Sequence, residues 1–334
     1  MFEELLTDLD ETSKVVNAFI ERVIAEQTDP RELHLASGHL LRAGGKRLRP
    51  FLLTTCCKLL GGTLEKALPS AASVELLHNF TLIHDDIMDQ DNTRRGVPTV
   101  HTLYDIPMAI TSGDLLFAKV YDTVIKYSDR RAIGEENILR ILQTLTEGTI
   151  AICVGQALDV LFEKRDDVSE EDYIHMIGGK TAALFRSSAE AGAIIAGGKL
   201  EDTSRLCSYA YKSGLAFQIV DDILGLMGNE KTLGKPVGSD VREGKRTLIV
   251  IQSLRKCSHD ERRQILSVLG NRNATAGEVT EVIQVMRSLD SIEYAKRRAE
   301  AFVNEAIEHL EPFPENDPKK KLLDLARFFV ARES

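Results

Sequence analysis

The chain has no tryptophan, and aromatic residues make up only 6% of its 334 residues. It also lacks a basic excess: 42 lysines and arginines face 51 aspartates and glutamates, for a net charge of -9. That balance argues against nucleic acid as the main ligand, since such binders carry clustered positive charge. It leaves room for a small anion in a local basic pocket. Five cysteines (Cys56, Cys57, Cys153, Cys207, Cys257) are odd in number and show no metal-ligand spacing, so they read as reduced thiols of a cytoplasmic protein. The opening Met1-Phe2-Glu3-Glu4-Leu5 is acidic, which does not fit a signal peptide. No unbroken apolar run approaches the roughly 18–20 residues of a spanning helix, so no membrane anchor is expected.

Proline is absent between Pro107 and Pro236, and that stretch is rich in alanine, leucine, isoleucine and glutamate. Long helices tolerate such a composition and proline would break them. Apolar residues recur at helical spacing, as in Leu142, Leu145, Thr149, Ile152 and Gln156, and no sustained two-residue alternation marks a strand. Thr247–Ile251 has strand propensity but runs on into Gln252-Ser253-Leu254 without a turn signal, so it reads as a buried helix. Breaks at Gly61-Gly62, Asn92–Pro98, Ser128–Gly134, Gly197-Gly198, Gly228–Gly244, Gly270–Gly277 and Pro312–Pro318 cut the chain into about ten helices. No repeat or linker interrupts it. The expectation is one all-α domain over residues 1–334.

Against this apolar background two acidic clusters stand out: His84-Asp85-Asp86-Ile87-Met88-Asp89 and Gln218-Ile219-Val220-Asp221-Asp222-Ile223. A solvated acidic face would mix lysine and serine among its acids, whereas here the neighbours are leucine, isoleucine, valine and methionine. Carboxylates four apart on a helix share a face and repel, and in apolar surroundings each needs a partner. A divalent cation meets both demands, and hard oxygen ligands suit magnesium completed by water and phosphate. Two such clusters suggest two helices facing each other across a metal-filled cleft. His78 lies seven residues before Asp85, on the same stripe.

Basic residues cluster beside glycines at Gly44-Gly45-Lys46-Arg47-Leu48-Arg49-Pro50, at Arg94-Arg95-Gly96, and at Gly234-Lys235-Pro236 with Gly244-Lys245-Arg246-Thr247. Alone each is as often plain surface as a site. Together with two acidic helices they fit cations and metals gathered around diphosphates. Gly178-Gly179-Lys180-Thr181 imitates the end of a P-loop but fails its spacing, because Ile174 stands where a glycine is required. Lys180 is then a phosphate-binding side chain on a helix kink. Gln156 and Asp159 form a polar pair suited to orienting a lysine. Gly214, Gln218, Asp221 and Gly225 share one helical stripe.

The segments GGKRLRP, HDDIMDQDNTRRG, GGKTAALF, FQIVDDILG and GKPVGSDVREGKRT, in this order, resemble the trans-type isoprenyl diphosphate synthases, specifically the archaeal-type short-chain geranylgeranyl/farnesyl group. They span Gly44 to Thr247, about 60% of the chain. The resemblance implies an all-α bundle of about ten core helices around a deep central cavity, usually a homodimer. It implies condensation of isopentenyl diphosphate with the allylic dimethylallyl, geranyl and farnesyl diphosphates. About three Mg2+ ions per active site, replaceable by Mn2+, would be held by Asp85 and Asp89 and by Asp221 with Asp222. Arg94, Lys180, Thr181, Gln218, Lys235 and Lys245 would line the allylic side. Lys46, Arg49, His78 and Arg95 would hold isopentenyl diphosphate.

By the same resemblance Leu77, Phe80 and Thr81 form the floor under the growing chain and imply a mainly C20 product with some C15. By helix geometry Thr81 lies about 40° from Asp85 and Phe80 about 140° away. Two departures are present: Gly225 replaces the fifth-position acid of many relatives' second motif, and Asn229 stands where an acid is common. A terpene cyclase would lack the GGKRLRP site. An HD-type phosphohydrolase would need further histidines in step with His84-Asp85. An inactive partner subunit tends to lose acids or basic residues that are intact here.

Overall fold

A computed structural model describes residues 2–26, 28–227 and 238–332. It is all-α apart from one two-residue hairpin. The helices are α1 (Glu3–Ile24), α2 (Arg31–Arg42), α3 (Leu48–Leu59), α4 (Leu64–Asp89), α5 (Val100–Leu103), α6 (Ile106–Tyr127), α7 (Arg130–Ile133) and α8 (Glu135–Phe162). They continue with α9 (Glu170–Ile177), a π-helical turn (Gly178–Ala182), α10 (Ala183–Ile195) and α11 (Leu200–Met227). The last are α12 (Ser239–Glu243), α13 (Leu248–Lys256), α14 (His259–Val268), α15 (Ala276–Ser288), α16 (Ser291–Glu308) and α17 (Asp317–Ala331). Gly61-Gly62, Asn92–Pro98 and Gly197-Gly198 fall between helices, whereas Ser128–Gly134 holds the short α7, the described part of Gly228–Gly244 holds α12, and Gly270–Gly277 and Pro312–Pro318 run into the first residues of α15 and α17. Thr247–Ile251 is helical as expected: the Thr247 side chain accepts from the Val250 amide and starts α13. The break at 163–169 was not anticipated, although Ser169 and Asp172 form a capping box that opens α9.

Two compact units are built from interleaved segments. The first comprises Met1–Thr149, Leu184–Ala210 and His309–Leu325. Its centre is α4, whose residues from Ala67 to Leu77 are almost all buried, the polar Ser70, Ser73 and Glu75 included, so this stretch is enclosed on every side. α4 packs against α1, α3 and α6. Close packing here depends on small residues. A Cβ on Gly192 of α10 would lie 2.2 Å from the Leu53 carbonyl oxygen of α3. Buried Tyr209 donates its hydroxyl to the Leu322 carbonyl at 2.6 Å, tying α11 to α17.

The second unit comprises Ile150–Ala183, Tyr211–Glu308 and Ala326–Ser334. α13 packs on α9, α15 and α16. Glu170 at the start of α9 accepts from Tyr294 and Arg298 of α16. Among the described residues, α8 is the one helix long and apolar enough to cross a membrane, by length and composition only. A search for unbroken apolar runs passes over it because polar residues such as Glu147 interrupt the sequence. One face of α8 is buried; Leu139, Ile150, Val154 and Leu161 are exposed within about a 60° sector of the other.

Gly192→Ala is expected to lower stability by about 1–3 kcal/mol, because a methyl group has to displace backbone. Alanine's helix preference of about 1 kcal/mol does not offset this. A urea midpoint that stays put or rises would contradict the close α3–α10 packing.

Candidate active site

The first unit carries the predicted residues Lys46, Arg49, Leu77, His78, Phe80, Thr81, Asp85, Asp89, Arg94 and Arg95. α4 runs without interruption from Leu77 to Asp89 and so carries Leu77, His78, Phe80, Thr81, Asp85 and Asp89 on one rigid element. It stops at Gln90, whose φ of 61° turns the chain out of the helix. The following segment forms a two-residue ladder, Thr93–Arg94 with Val97–Pro98, closed by Arg95 and Gly96 at φ of 54° and 75°. Two consecutive positive φ values make this a primed hairpin turn, which matches strand twist. The hairpin brings Arg94 back over α4: its Nε donates to Asp86 Oδ1, and NH2 lies 3.6 Å from Asp85. Burial pushes the Asp86 carboxyl up to about 6, against the opposing pull of Arg94.

Across the same unit the basic loop has its own backbone demand. Gly44, Gly45 and Arg47 take φ of 98°, 136° and 49°, a run that needs glycine at the first two positions. The loop exposes Lys46 and leads into Arg49, whose guanidinium sits 4.6 Å from the centre of the buried Phe185 ring. Arg95 donates to the carbonyls of Leu40 and Gly44. His78 is held well below its usual range, first by burial and then by Arg49, Arg95, Arg94 and Arg47. The structure thus brings Arg49, His78 and Arg95 into one electropositive environment where His78 stays a neutral hydrogen-bonding group.

Among the residues expected to set chain length, Leu77 is fully buried and Thr81 donates its hydroxyl to the His78 carbonyl. Phe80 stacks at 5.2 Å on Phe117 of α6 and edge-on at 4.8 Å to His84. Gly113 leaves room for that histidine, since a Cβ there would lie 2.4 Å from His84 Nε2.

The second unit carries the predicted residues Lys180, Thr181, Gln218, Asp221, Asp222 and Lys245. The helix kink expected at Gly178-Gly179-Lys180-Thr181 is the π-helical turn, a distortion frequent at functional sites. Three glycines let it pack closely: a Cβ on Gly155 of α8 would lie 2.1 Å from the Lys180 amide nitrogen, and one on Gly178 would lie 2.2 Å from the Tyr211 hydroxyl. A Cβ on Gly179 would come within 2.7 Å of the Ala151 carbonyl. Lys180 Nζ then reaches Asp159 Oδ2 at 2.6 Å, and Thr181 donates to Gln218 Oε1 at 2.6 Å. Gln218 donates to Asp222 Oδ1 at 2.8 Å, and Tyr173 donates to Asp222 Oδ2 at 2.6 Å. Burial, reinforced by Asp240, pushes the Asp222 carboxyl up to about 7, against those two donors.

Asp221 is more exposed and pairs with Arg332 at 2.6 Å. Lys245 lies 3.0 Å from Glu243 and 4.0 Å from Asp240. Lys235 and Asn229 lie outside the described residues. Gly225 leaves space that Asp240 uses: a Cβ there would sit 3.0 Å from Asp240 Oδ2.

Reading the sequence missed Tyr173, Asp240 and Arg332. Asp240 was inside a quoted motif; Tyr173 and Arg332 carry no local signal, because only the packing of distant segments takes them to Asp222 and Asp221. Among the described residues no three acidic, histidine or cysteine side chains converge as a ready cage for a metal. The paired carboxylates instead fit an ion that keeps waters and takes further oxygens from a phosphate. Asp86 Oδ2 is buried without a hydrogen-bond partner, an oxygen that a cation held beside Asp85 and Asp89 would satisfy.

The polyprenyl synthetase family model matches residues 30–286. The chain is 44% identical over 319 residues to the geranylgeranyl diphosphate synthase of Sulfolobus acidocaldarius, covering 95% of each chain. The crystal structure of geranylgeranyl pyrophosphate synthetase from Pyrococcus horikoshii Ot3 superposes with a TM-score of 0.92 at 41% identity, covering 99% of each chain. A polyprenyl synthase from Caulobacter crescentus, crystallised with calcium and isoprenyl diphosphate, matches with a TM-score of 0.90 at 30% identity over 98% of each chain.

Folding keeps a proton off His78, so its contribution to stability is fully present above about pH 6.5 and is lost as pH falls below that value. His78→Gln removes the dependence. The stability of the variant relative to wild type should therefore rise with acidification, by up to about 1.4 kcal/mol per pH unit. Parallel denaturation curves for the two proteins between about pH 7.5 and 5 would disprove the neutral, buried assignment.

Proposed function

The chain belongs to the polyprenyl synthetase family and has its all-α isoprenoid synthase fold, and from that premise we propose how this prenyltransferase works and what it makes. It condenses isopentenyl diphosphate with allylic diphosphates of C5 to C15. Its main product is geranylgeranyl diphosphate (C20), with farnesyl diphosphate (C15) as the lesser one. The observation that carries this reading is the hairpin-borne Arg94 and Arg95 set over one helix that bears both His78 and the Asp85–Asp89 pair.

The family generally uses Mg2+. Held by Asp85 and Asp89 and by Asp221 with Asp222, about three such ions, or Mn2+ in their place, would neutralise charge that grows on the departing diphosphate. Asp240, filling the space above Gly225, supplies the acid that the second motif lacks at its fifth position. Arg94, Lys180, Thr181, Gln218, Lys235 and Lys245 hold the allylic diphosphate. Lys180 is aimed by Asp159, and Thr181 and Gln218 are aligned by one hydrogen-bond chain ending on Asp222.

Lys46, Arg49, His78 and Arg95 hold isopentenyl diphosphate, His78 as a neutral donor. The allylic carbon–oxygen bond breaks, the isopentenyl double bond adds to the cation, and a proton passes to the released diphosphate. No protein nucleophile takes part, and apolar walls keep water from the cation. Leu77, Phe80 and Thr81 set the chain length.

Residues 1–334 act as one domain, because each compact unit is assembled from three separated segments and neither is a contiguous piece. The exposed apolar sector of α8 supports a homodimer, since a second copy would bury a stripe of this kind. Cytoplasmic residence without a membrane anchor, and no nucleic-acid partner, accord with the acidic balance of the chain.

Purified protein incubated with magnesium, labelled isopentenyl diphosphate and separate C5, C10 and C15 primers should yield a C20 alcohol after dephosphorylation, and EDTA should abolish it. No condensation with any primer in a folded sample would overturn the reading. Phe80→Ser should lengthen the products; an unchanged product distribution would remove Phe80 from the floor.

A further inference from the structure

A buried polar cluster lies under the basic loop, and no step of the reaction uses it. The Arg47 and Glu75 side chains are 1% and 3% exposed and meet at 2.6 Å. Arg47 is otherwise fully engaged: Nε donates to Asn17 Oδ1, NH1 also to the Gly44 carbonyl, and NH2 to the Leu41 carbonyl. Asn79, one turn after Glu75 on α4, donates at 2.8 Å to both the side chain and the carbonyl of Glu75. Its own oxygen lies 3.5 Å from Arg95 NH1, which donates to the Leu40 and Gly44 carbonyls. Two guanidiniums therefore converge on the single Gly44 carbonyl, next to a glycine with no space to spare. A Cβ on Gly45 would lie 3.1 Å from Arg47 and 3.2 Å from Arg95.

An enclosed ion pair of this kind is often matched in stability by apolar side chains of similar size, so its presence calls for a reason other than stability. The geometry supplies one. Two like charges at one carbonyl repel, and Glu75 is the acid that lets both stay. Burial lowers the affinity of Arg95 for its proton, Glu75 opposes that effect, and Arg47 adds to it. Arg47 is also the residue on which α3 begins, so its anchoring sets where Lys46 and Arg49 emerge.

We propose that Glu75, together with Asn79, is a positioning residue for isopentenyl diphosphate: it locks Arg47, Arg95 and the Gly44-Gly45 turn in one register so that Lys46, Arg49, His78 and Arg95 address the same diphosphate. This rests on the reading of those four residues given under Proposed function. Neither Glu75 nor Asn79 touches substrate. Their effect falls on one of the two substrates, because Arg95 is the binding residue that the cluster touches and the Gly44-Gly45 turn that it fixes leads into Lys46 and Arg49.

Glu75→Gln keeps the shape and removes the charge. Its KM for isopentenyl diphosphate should rise about tenfold, while kcat and the KM for the allylic primer stay within about twofold. Asn79→Ala leaves the Arg47–Glu75 pair intact and cuts the link to Arg95, so a smaller rise in the same KM is expected, and it decides the matter if Glu75→Gln does not fold. Calorimetric titration with isopentenyl diphosphate alone supplies a readout independent of turnover, with the same ranking of affinities.

An unchanged KM and affinity for isopentenyl diphosphate in a folded variant overturns the proposal. So does an equal loss in kcat and both KM values, which a merely structural role would produce. If wild type binds isopentenyl diphosphate yet condenses it with no primer, the proposed function falls while the binding comparison still tests Glu75.

Discussion

A charge held against an apolar helix is stable only with a partner, and each functional side chain described here obeys that constraint. Asp86 takes Arg94, Asp159 takes Lys180, Asp222 takes Tyr173 and Gln218, Asp221 takes Arg332, and Glu75 takes Arg47. The partners are not interchangeable. Asp86, Asp159 and Asp222 are nearly enclosed, whereas Asp221 is 40% exposed. The Arg47–Glu75 pair beneath the basic loop is enclosed and hydrogen-bonded throughout, so its geometry is fixed in advance of any ligand. An electrostatic site that stabilises charge without rearranging at the moment of reaction requires pairs of this enclosed kind.

Glycine is the complementary device. Where charged groups must approach backbone, a methyl group would prevent it: Gly155 and Gly179 let the π-helical turn lie against α8, Gly113 admits His84, and Gly225 admits Asp240. Gly44 and Gly45 instead provide backbone freedom, because the loop before α3 needs φ values that other residues avoid. The two uses look alike in the sequence, as glycines beside basic or acidic residues, and separate only once neighbours are known.

Much was legible from residue types and spacing. The all-α class follows from helical periodicity and the long proline-free stretch, and several helix ends follow from glycine. The acidic pairs stand out because carboxylates are out of place among leucine and isoleucine, while Gln218 reads as sharing a stripe with Asp221 and the structure bonds it to Asp222 instead. Tyr173 was not legible in the same way. It reads as an ordinary core aromatic, and its role in holding Asp222 exists only because α9 packs beside α11. The departure at Gly225 looked like a lost ligand, yet Asp240, fifteen residues on, takes up the space.

The sequence by itself determined that the chain is helical, that it carries two carboxylate pairs and several glycine-flanked cations in apolar surroundings, and which family those motifs belong to. Spacing along a helix is a local property, fixed by a repeat of about 3.6 residues per turn, so it can be read without a fold. Only the tertiary structure decided which cation meets which acid: Arg94 with Asp86, Arg332 with Asp221, and two guanidiniums on the carbonyl of Gly44. Those pairings join residues up to the far end of the chain, and electrostatic energy depends on distance and burial in space, which residue order does not encode.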